Sequence, residues 1–219
     1  MANVSRADAE AALTLAGIKD VSRETLEKLR LYVSLLSEWQ LAQNLVGPSA
    51  IREVWTRHIA DSAQLVALAP KARRWLDIGS GAGFPGLVIA ILLAAEPAYS
   101  VDLVESRSKR CAFLREAGRA TGASVEVHCA RIDKIVPKAP IPDAISARAV
   151  ASLDTVLKWI EPFLARGAAA YLHKGLDFER EWQSIRDKER FDLVLHPSRI
   201  GPGVIAEIRA GRAEDHSER

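Results

Sequence analysis

Apolar residues in the first part of the chain recur three and four positions apart. Leu26, Leu29, Val33 and Leu36 form one such series and Ile51, Val54 and Ile59 another, the spacing that lines one face of a helix. The first 70 residues therefore predict helices and no strand, with Pro48 and Ser49 parting the second helix from the third, Ser49 as its cap, and Pro70 as its end. From Trp75 the pattern changes to short apolar runs at 75–78, 101–104, 125–127, 144–145 and 168–172, separated by stretches long enough for helices. This alternation predicts a mostly parallel sheet with helices on both faces. The run 86–95 is apolar all round, so as a helix it needs cover beyond the sheet, and the N-terminal helices are the expected cover. Leu153, Val156, Leu157, Ile160 and Leu164 predict an amphipathic helix stopped by Gly167. Runs 191–195 and 204–208, joined by the turn-rich segment 197–203, predict an antiparallel hairpin. The expected organisation is a helical extension over 1–70 packed on an α/β core of 71–211, with a frayed charged tail at 212–219.

Composition narrows the class. A chain of 219 residues, 48% hydrophobic and 26% charged, fits one principal globular fold and neither a fibrous nor a wholly disordered protein. The longest apolar run, 85–95, falls short of the roughly 20 residues a membrane helix needs. Arg6, Asp8 and Glu10 interrupt any secretory signal, so the expected location is cytoplasmic. Cys111 and Cys129 form no C-x-x-C pair and read as packing thiols; the five histidines form no metal-binding motif, so no metal is expected. A net charge of +2 permits nucleic-acid binding without showing it. The distribution says more: between residues 107 and 119, Arg107, Lys109, Arg110, Arg115 and Arg119 face Glu116 alone. That stripe is the first place to look for contacts to phosphate.

The candidate chemistry lies where a predicted buried strand runs into Asp77-Ile-Gly79-Ser-Gly81-Ala-Gly83-Phe84-Pro85-Gly86 and then a helix. Glycines let backbone approach a ligand at the carboxyl edge of a sheet, and a nucleotide-type cofactor is the natural occupant. The Gly-Lys-Ser/Thr of a phosphate-cradling loop is missing, which argues against nucleotide hydrolysis. Residues 81–86 match the dinucleotide Gly-x-Gly-x-x-Gly only through glycine abundance. Asp77, just before the glycines, repels a pyrophosphate but suits the ammonium of S-adenosylmethionine; its plainer reading is a partner for the following helix N-terminus. Glu105 ends the next strand, where an acid accepts from ribose hydroxyls in dinucleotide and S-adenosylmethionine sites alike; its plainer reading is a helix cap. These residues favour a methyltransferase over an NAD-type dehydrogenase.

The loop resembles the Gly-Phe-Pro-Gly variant of the ribosomal RNA small subunit methyltransferase G (glucose-inhibited division protein B) family. Trp39, Asn44-Leu45, Arg57-His58-Ile59 with Asp61-Ser62, Glu105-Ser106 with Lys109-Arg110 and Phe113-Leu114, Arg148-Ala149 with Ala151-Ser152-Leu153, and Lys174-Gly175 are similar to its other signatures, over about residues 39 to 175. The resemblance implies a Rossmann-like class I methyltransferase fold and transfer of a methyl group from S-adenosylmethionine to guanine N7 in the decoding-region loop of 16S rRNA. Separately, a monomer is the expected state, though no residue pattern fixes it; the partner that the resemblance implies is that RNA or the small ribosomal subunit. It places cofactor contacts at Gly79, Phe84, Ile132, Asp133 and Arg148; the physical reading adds Asp77, Gly81 and Glu105. Two departures stand out: Asn44-Leu45-Val46 replaces Asn-Leu-Thr and so lacks a hydroxyl, and Arg131-Ile132-Asp133 replaces Arg-Val-Glu with a shorter acid to meet the adenine amine.

Guanine N7 has an unprotonated lone pair, so this chemistry needs no general base. Ser146-Ala147-Arg148-Ala149 stands where an exocyclic-amine methylase shows Asn/Asp-Pro-Pro-aromatic, and neither cysteine sits where a covalent nucleophile belongs. Arg148 is the expected central positioning residue and Lys174 a contact to phosphate or guanine O6, or else a snorkelling surface lysine. His58 and Asp61 are expected to share a helix face as a clamp between helix and sheet, with Arg57 within reach of Asp61. Besides the dehydrogenase, a catalytically silent RNA-binding ribosome-assembly factor remains an alternative.

Overall fold

A computed structural model describes residues 5–43, 45, 53–136 and 139–211; Asn44, Val46, Pro48, Ser49, Ile51 and the tail 212–219 lie outside them. The chain opens with helix α1 (Arg6–Leu15), capped by Ser5, whose Oγ accepts from Asp8 N at 3.1 Å. Helix α2 (Arg23–Gln43) starts the same way, with Ser22 Oγ accepting from Thr25 N. A π-helical turn, Trp55–Ala60, then runs straight into α3 (Asp61–Leu68). The periodicity predicts a regular helix there. The wider turn is the departure, and such turns recur at functional sites.

Seven strands follow, with helices between them: β1 (Arg74–Ile78), α4 (Gly86–Leu92), β2 (Ser100–Glu105), α5 (Ser108–Thr121), β3 (Val125–Cys129), α6 (Ile132–Ile135), β4 (Ala144–Arg148), α7 (Leu153–Leu164), β5 (Ala169–Lys174), α8 (Phe178–Gln183), β6 (Phe191–Pro197) and β7 (Val204–Ala210). They form one sheet in the order β3-β2-β1-β4-β5-β7-β6. The first five are parallel and β7 and β6 run antiparallel, so the Rossmann-like reading with a C-terminal hairpin holds. The order reverses between β2-β1 and β4, which opens a crevice at the carboxyl ends of the central strands.

The cover expected over the all-apolar helix is present. Gly86 through Ile91 of α4 are all buried, and Leu87 through Ile91 lie in one cluster with Leu29, Tyr32 and Leu36 of α2 and Ala63 and Leu65 of α3. Burying side chains of this kind contributes on the order of 1.5–3 kcal/mol each, which ties the helical extension to the sheet. On the opposite face α7 buries Leu153, Val156, Leu157, Ile160, Phe163 and Leu164 against Leu76, Ile78, Ile145 and Leu172. Two short helices, α6 and α8, went unread in the sequence: four and six residues are too few to show a 3.6 period. No helix among the described residues is long and apolar enough to cross a membrane.

Candidate active site at the carboxyl edge of the sheet

The glycine loop leaves β1 and returns to α4 through backbone that L side chains resist. Gly79, Gly81 and Gly83 have φ of +72°, +58° and +102°. A Cβ on Gly79 would lie 2.4 Å from Val150 Cγ2, and one on Gly86 2.6 Å from Asp77 Cβ. The loop is held from three sides. Gly79 N and Ser80 N both donate to Val104 O of β2, at 2.8 and 3.1 Å. Tyr32 of α2 donates its hydroxyl to Ala82 O at 2.6 Å. From beneath, Asp77 accepts from Gly86 N at 3.2 Å and from Ser146 Oγ of β4 at 2.7 Å.

Asp77 is fully buried and lines neither of the cavities around the loop. Burial pushes its carboxyl pKa up, against the pull of Ser146, Ser80, Gly86 and the Arg148 charge. The helix N-terminus bond to Gly86 thus exists in this structure. The direct pairing with an ammonium expected of Asp77 is not built, because both carboxylate oxygens are turned to Gly86 N and Ser146 Oγ beneath the loop; an ammonium in either cavity would feel its charge only through the loop.

Two cavities flank the loop, meeting at Ala149 and Val150. Ala149 takes a φ of +52° at the end of β4, a strained conformation for a residue with a Cβ, at the junction of the two spaces. The smaller cavity, about 370 Å³, is lined by Gly79, Glu105, Arg107, Arg110, Ile132 and Trp159 among others. Glu105 is 5% exposed, and its carboxylate accepts from Gly81 N at 3.1 Å and from Arg107 N at 2.8 Å, with Arg110 Nη1 3.6 Å away. Ser106 Oγ also donates to it, at 3.5 Å; an ionised carboxylate has about four lone-pair sites, so acceptor capacity remains for one ribose hydroxyl, and for a second if the Ser106 hydroxyl turns away. Positive-φ glycines, a buried acid and an apolar Ile132 wall fit the nucleoside of S-adenosylmethionine. Asp133 is exposed, pairs with Arg131 at 3.1 Å, and is not part of this wall.

The larger cavity, about 630 Å³, is walled by Arg148, His58, Asp61, Lys174, Glu181 and the β6–β7 turn. Arg148 Nη1 donates to Asp61 Oδ2 and to Arg57 O, both at 3.3 Å, and Nη2 donates to His58 Nδ1 at 2.9 Å. Its guanidinium lies 5.5 Å from the Phe84 ring centroid, and the His58 ring stacks on that same ring at 4.8 Å. His173, the ladder partner of Arg148, donates Nε2 to Asp61 O at 3.0 Å. The helix–sheet clamp expected of His58 and Asp61 is therefore built, and Arg148 is its sheet half. Arg57 departs from expectation: its guanidinium pairs with Glu53 at 3.1 Å, because Asp61 is turned inward to Arg148. Phe84 serves as the floor under this clamp.

The basic stripe divides. Arg107 and Arg110 line the smaller cavity, whereas Arg115 donates to Val127 O of β3 at 3.0 Å and Arg119 pairs with Glu116 at 2.6 Å. Lys109, between them, is exposed. Lys174 does not snorkel: its side chain is 12% exposed and its ammonium donates to Glu181 Oε2 at 2.6 Å. Cys111 is buried and donates to Glu105 O at 3.2 Å, and burial together with Cys129 pushes its thiol pKa up to about 12, which suits packing and not nucleophilic attack. Asp102, Glu126 and His128 bring three donor atoms within 4.8 Å of one another beside a separate cavity lined by Arg74 and Ser100, apart from the loop.

Several site residues carried no readable signal. Ser146, Gln64, Glu181 and the turn 198–203 come together only through the fold. Gln64 is 2% exposed; its Nε2 donates to Asp61 Oδ1 at 3.0 Å and its Oε1 accepts from Arg199 N at 2.7 Å, tying the β6–β7 turn to α3.

One pH dependence follows from the clamp. Because a guanidinium only donates, His58 Nδ1 must accept, so the folded imidazole is neutral. Burial first and the Arg148 charge second push its pKa down from 6.5 to about 4, with Asp61 opposing. The unfolded chain therefore binds this proton near pH 6.5 while the folded chain refuses it until about pH 4. Stability is fully present above 6.5 and lost as pH falls through that window. Full linkage would be about 3 kcal/mol; partial solvent access reduces it to roughly 1–2 kcal/mol. Thermal melts of wild type and His58→Asn at pH 7 and 4.5 check this: the wild type should lose about 3–6 °C more than the variant. Parallel losses in both proteins would show that His58 does not titrate this way.

Comparison with known proteins agrees with this geometry. The family model described as rRNA small subunit methyltransferase G matches residues 25–198. Proteins named ribosomal RNA small subunit methyltransferase G from Methylorubrum populi and Bradyrhizobium diazoefficiens are each 48% identical, over 82% and 95% of this chain and 85% and 79% of theirs. In fold, the chain is similar to the O-methyltransferase TomG of Streptomyces achromogenes, solved in complex with SAM, with a TM-score of 0.57 at 13% identity over 95% of this chain and 99% of that one. A glycine loop braced at Asp77, a buried acid at Glu105 and relatives of this closeness lead to one assignment: the chain belongs to the rRNA small subunit methyltransferase G family, enzymes that methylate ribosomal RNA with S-adenosylmethionine as donor.

Proposed function

We propose that this enzyme methylates N7 of a guanine in the 530 loop of 16S rRNA, presented in the small ribosomal subunit. The observation that carries the reading is the state of the groups around Arg148. His58 spends Nδ1 on the guanidinium, Asp61 accepts from Arg148 and Gln64, and the buried high-pKa thiol Cys111 lies away from Arg148, beneath Glu105. None of these is available to take a proton from a substrate. The remaining carboxylate of this wall, Glu181, is paired with Lys174; a nucleophile that attacks the methyl group without a base has to arrive with its lone pair exposed, and guanine N7 does.

Bound S-adenosylmethionine supplies an electrophilic methyl group on a sulfonium. The chain's own residues then do the positioning. The smaller cavity takes the nucleoside, with Glu105 accepting from the ribose hydroxyls and Ile132 against the adenine; Gly79 and Gly81 let backbone approach closely, and the buried Asp77 charge favours the ammonium end. Arg148, fixed by its three partners, orients the methionine end and the incoming base, and Lys174 donates to guanine O6. Holding reactants in this way can supply on the order of 7–11 kcal/mol of the barrier without any proton transfer. Arg107, Lys109, Arg110 and Arg115 line the approach on the α5 side as phosphate contacts, the RNA reaching Arg115 where it bonds β3.

The test is incubation of small subunits from a strain lacking this activity with labelled S-adenosylmethionine, followed by mapping. One methyl group per subunit at a guanine N7, detected as strand cleavage by aniline after borohydride reduction, is the expected result. Label on an exocyclic amine, a pyrimidine or a ribose would reject the reading.

A further inference from the structure

Among the described residues, the Lys174–Glu181 pair is the one ion pair with both members on the wall of the larger cavity that the clamp does not use. Lys174 ends β5 one residue beyond His173, the ladder partner of Arg148, and Glu181 reaches it from α8. Both side chains line the same cavity as Arg148, at 12% and 32% exposure, so the pair faces a ligand from one side. Of the two carboxylates on this wall, Asp61 is occupied by Arg148, His173 and Gln64. Glu181 takes Lys174 Nζ on Oε2, and among the described residues no other side chain is seen to donate to it.

An ammonium beside a carboxylate presents a donor followed by two acceptors. Along the edge of guanine opposite the sugar, O6, N1–H and the N2 amine present an acceptor followed by two donors. We propose that the Lys174–Glu181 pair reads this edge, with Lys174 donating to O6 and Glu181 accepting from N1–H and N2–H, and that Glu181 selects guanine. The inference rests on the guanine-N7 reading above and extends it to the residue that recognises the base. Adenine would turn an amine toward the ammonium and a bare ring nitrogen toward the carboxylate, two mismatches at once. The pair also contributes to rate. When N7 forms its bond to the methyl carbon, the sulfonium takes the electron pair of the broken S–C bond and the base gains a positive charge. N1–H and N2–H then become stronger donors, so the carboxylate holds the transition state more tightly than the neutral base.

The test uses the whole enzyme on unmethylated small subunits, with mapping of the wild-type product as its first arm. Glu181→Gln keeps size and fold but offers an amide to two donors; kcat should fall about 10–100-fold while S-adenosylmethionine affinity by calorimetry and Tm stay at wild-type values. The charge swap Lys174→Glu with Glu181→Lys keeps an ion pair between β5 and α8, so a purely structural pair would restore activity, whereas a base reader stays as slow as Glu181→Gln. Subunits reconstituted with inosine at the target lack the N2 amine and should be methylated about 5–50-fold more slowly by the wild type. Glu181→Gln at wild-type rate, an active charge swap, or inosine methylated as fast as guanosine would each overturn the proposal. A wild-type product at another base or atom would instead sink the guanine-N7 reading, and is seen before any variant is made.

Discussion

Arg148→Ala is expected to lower methyl transfer about 100-fold or more, and Arg148→Lys is expected to be almost as poor. The guanidinium reaches Asp61, Arg57 O and His58 Nδ1 at once while lying over the Phe84 ring, four contacts made by one planar fork. A lysine ammonium is a point charge on a flexible stem and cannot span them. Misplacing a positioning group by about 1 Å can cost two orders of magnitude in rate. Removing the arginine also leaves His58 Nδ1 without its partner and takes from Asp61 the guanidinium that pairs with it, leaving only its contacts to Gln64 and His173, which should cost about 2–4 kcal/mol after allowance for partial exposure. One readout isolates the clamp from general damage. With the Arg148 charge gone, the His58 pKa should rise from about 4, since that charge helps hold it down, and an NMR titration of the variant would follow it. Arg148→Lys with near wild-type kcat would show that any cation suffices and that the fork is irrelevant.

How much of this was legible beforehand depends on whether a feature is local. The five parallel strands, the all-apolar α4 and the closing hairpin show because their periods and turns are written in consecutive residues. The loop shows because a left-handed backbone selects glycine at 79, 81 and 83. The clamp was half visible: His58 and Asp61 sit three apart, but their partner Arg148 lies about 90 residues away, and no spacing rule joins them. Asp77 shows the limit most clearly. Its position before the glycines marks it as important, yet its hydrogen bonds to Gly86 N and Ser146 Oγ depend on β4 lying beside β1, a fact of topology. Gln64 and Glu181 are ordinary polar residues in helices until the sheet places them on one wall. The dehydrogenase alternative was open for the same reason, since a glycine loop and a distal acid serve both cofactor classes; membership of the family closes it.

Asp77 braces the loop, and a pair of substitutions tests whether its charge also serves the ammonium of the cofactor. Asp77→Ala removes the acceptor for Gly86 N–H and for Ser146 Oγ, both buried, and the glycine N–H has no water to turn to. Each lost bond to an ionised acceptor costs about 1.5–3 kcal/mol, so roughly 3–5 kcal/mol of stability should vanish, with cofactor binding undetectable. That is a large share of the 5–15 kcal/mol typical of a domain. Asp77→Asn behaves differently. Its carbonyl can still accept from Gly86 N–H, which has no other role, while its amide turns to Ser146, whose hydroxyl accepts as readily as it donates. Stability should return to within about 1 kcal/mol of wild type. The amide carries no charge, however, and across a thin glycine loop a buried carboxylate attracts an ammonium by on the order of 1–2 kcal/mol at an effective dielectric near 20. Affinity for S-adenosylmethionine should accordingly remain about tenfold weaker in Asp77→Asn, whereas affinity for 5′-methylthioadenosine, which lacks the ammonium, should match the wild type. If Asp77→Asn binds S-adenosylmethionine as tightly as the native enzyme, the carboxylate is a brace for the loop and nothing more.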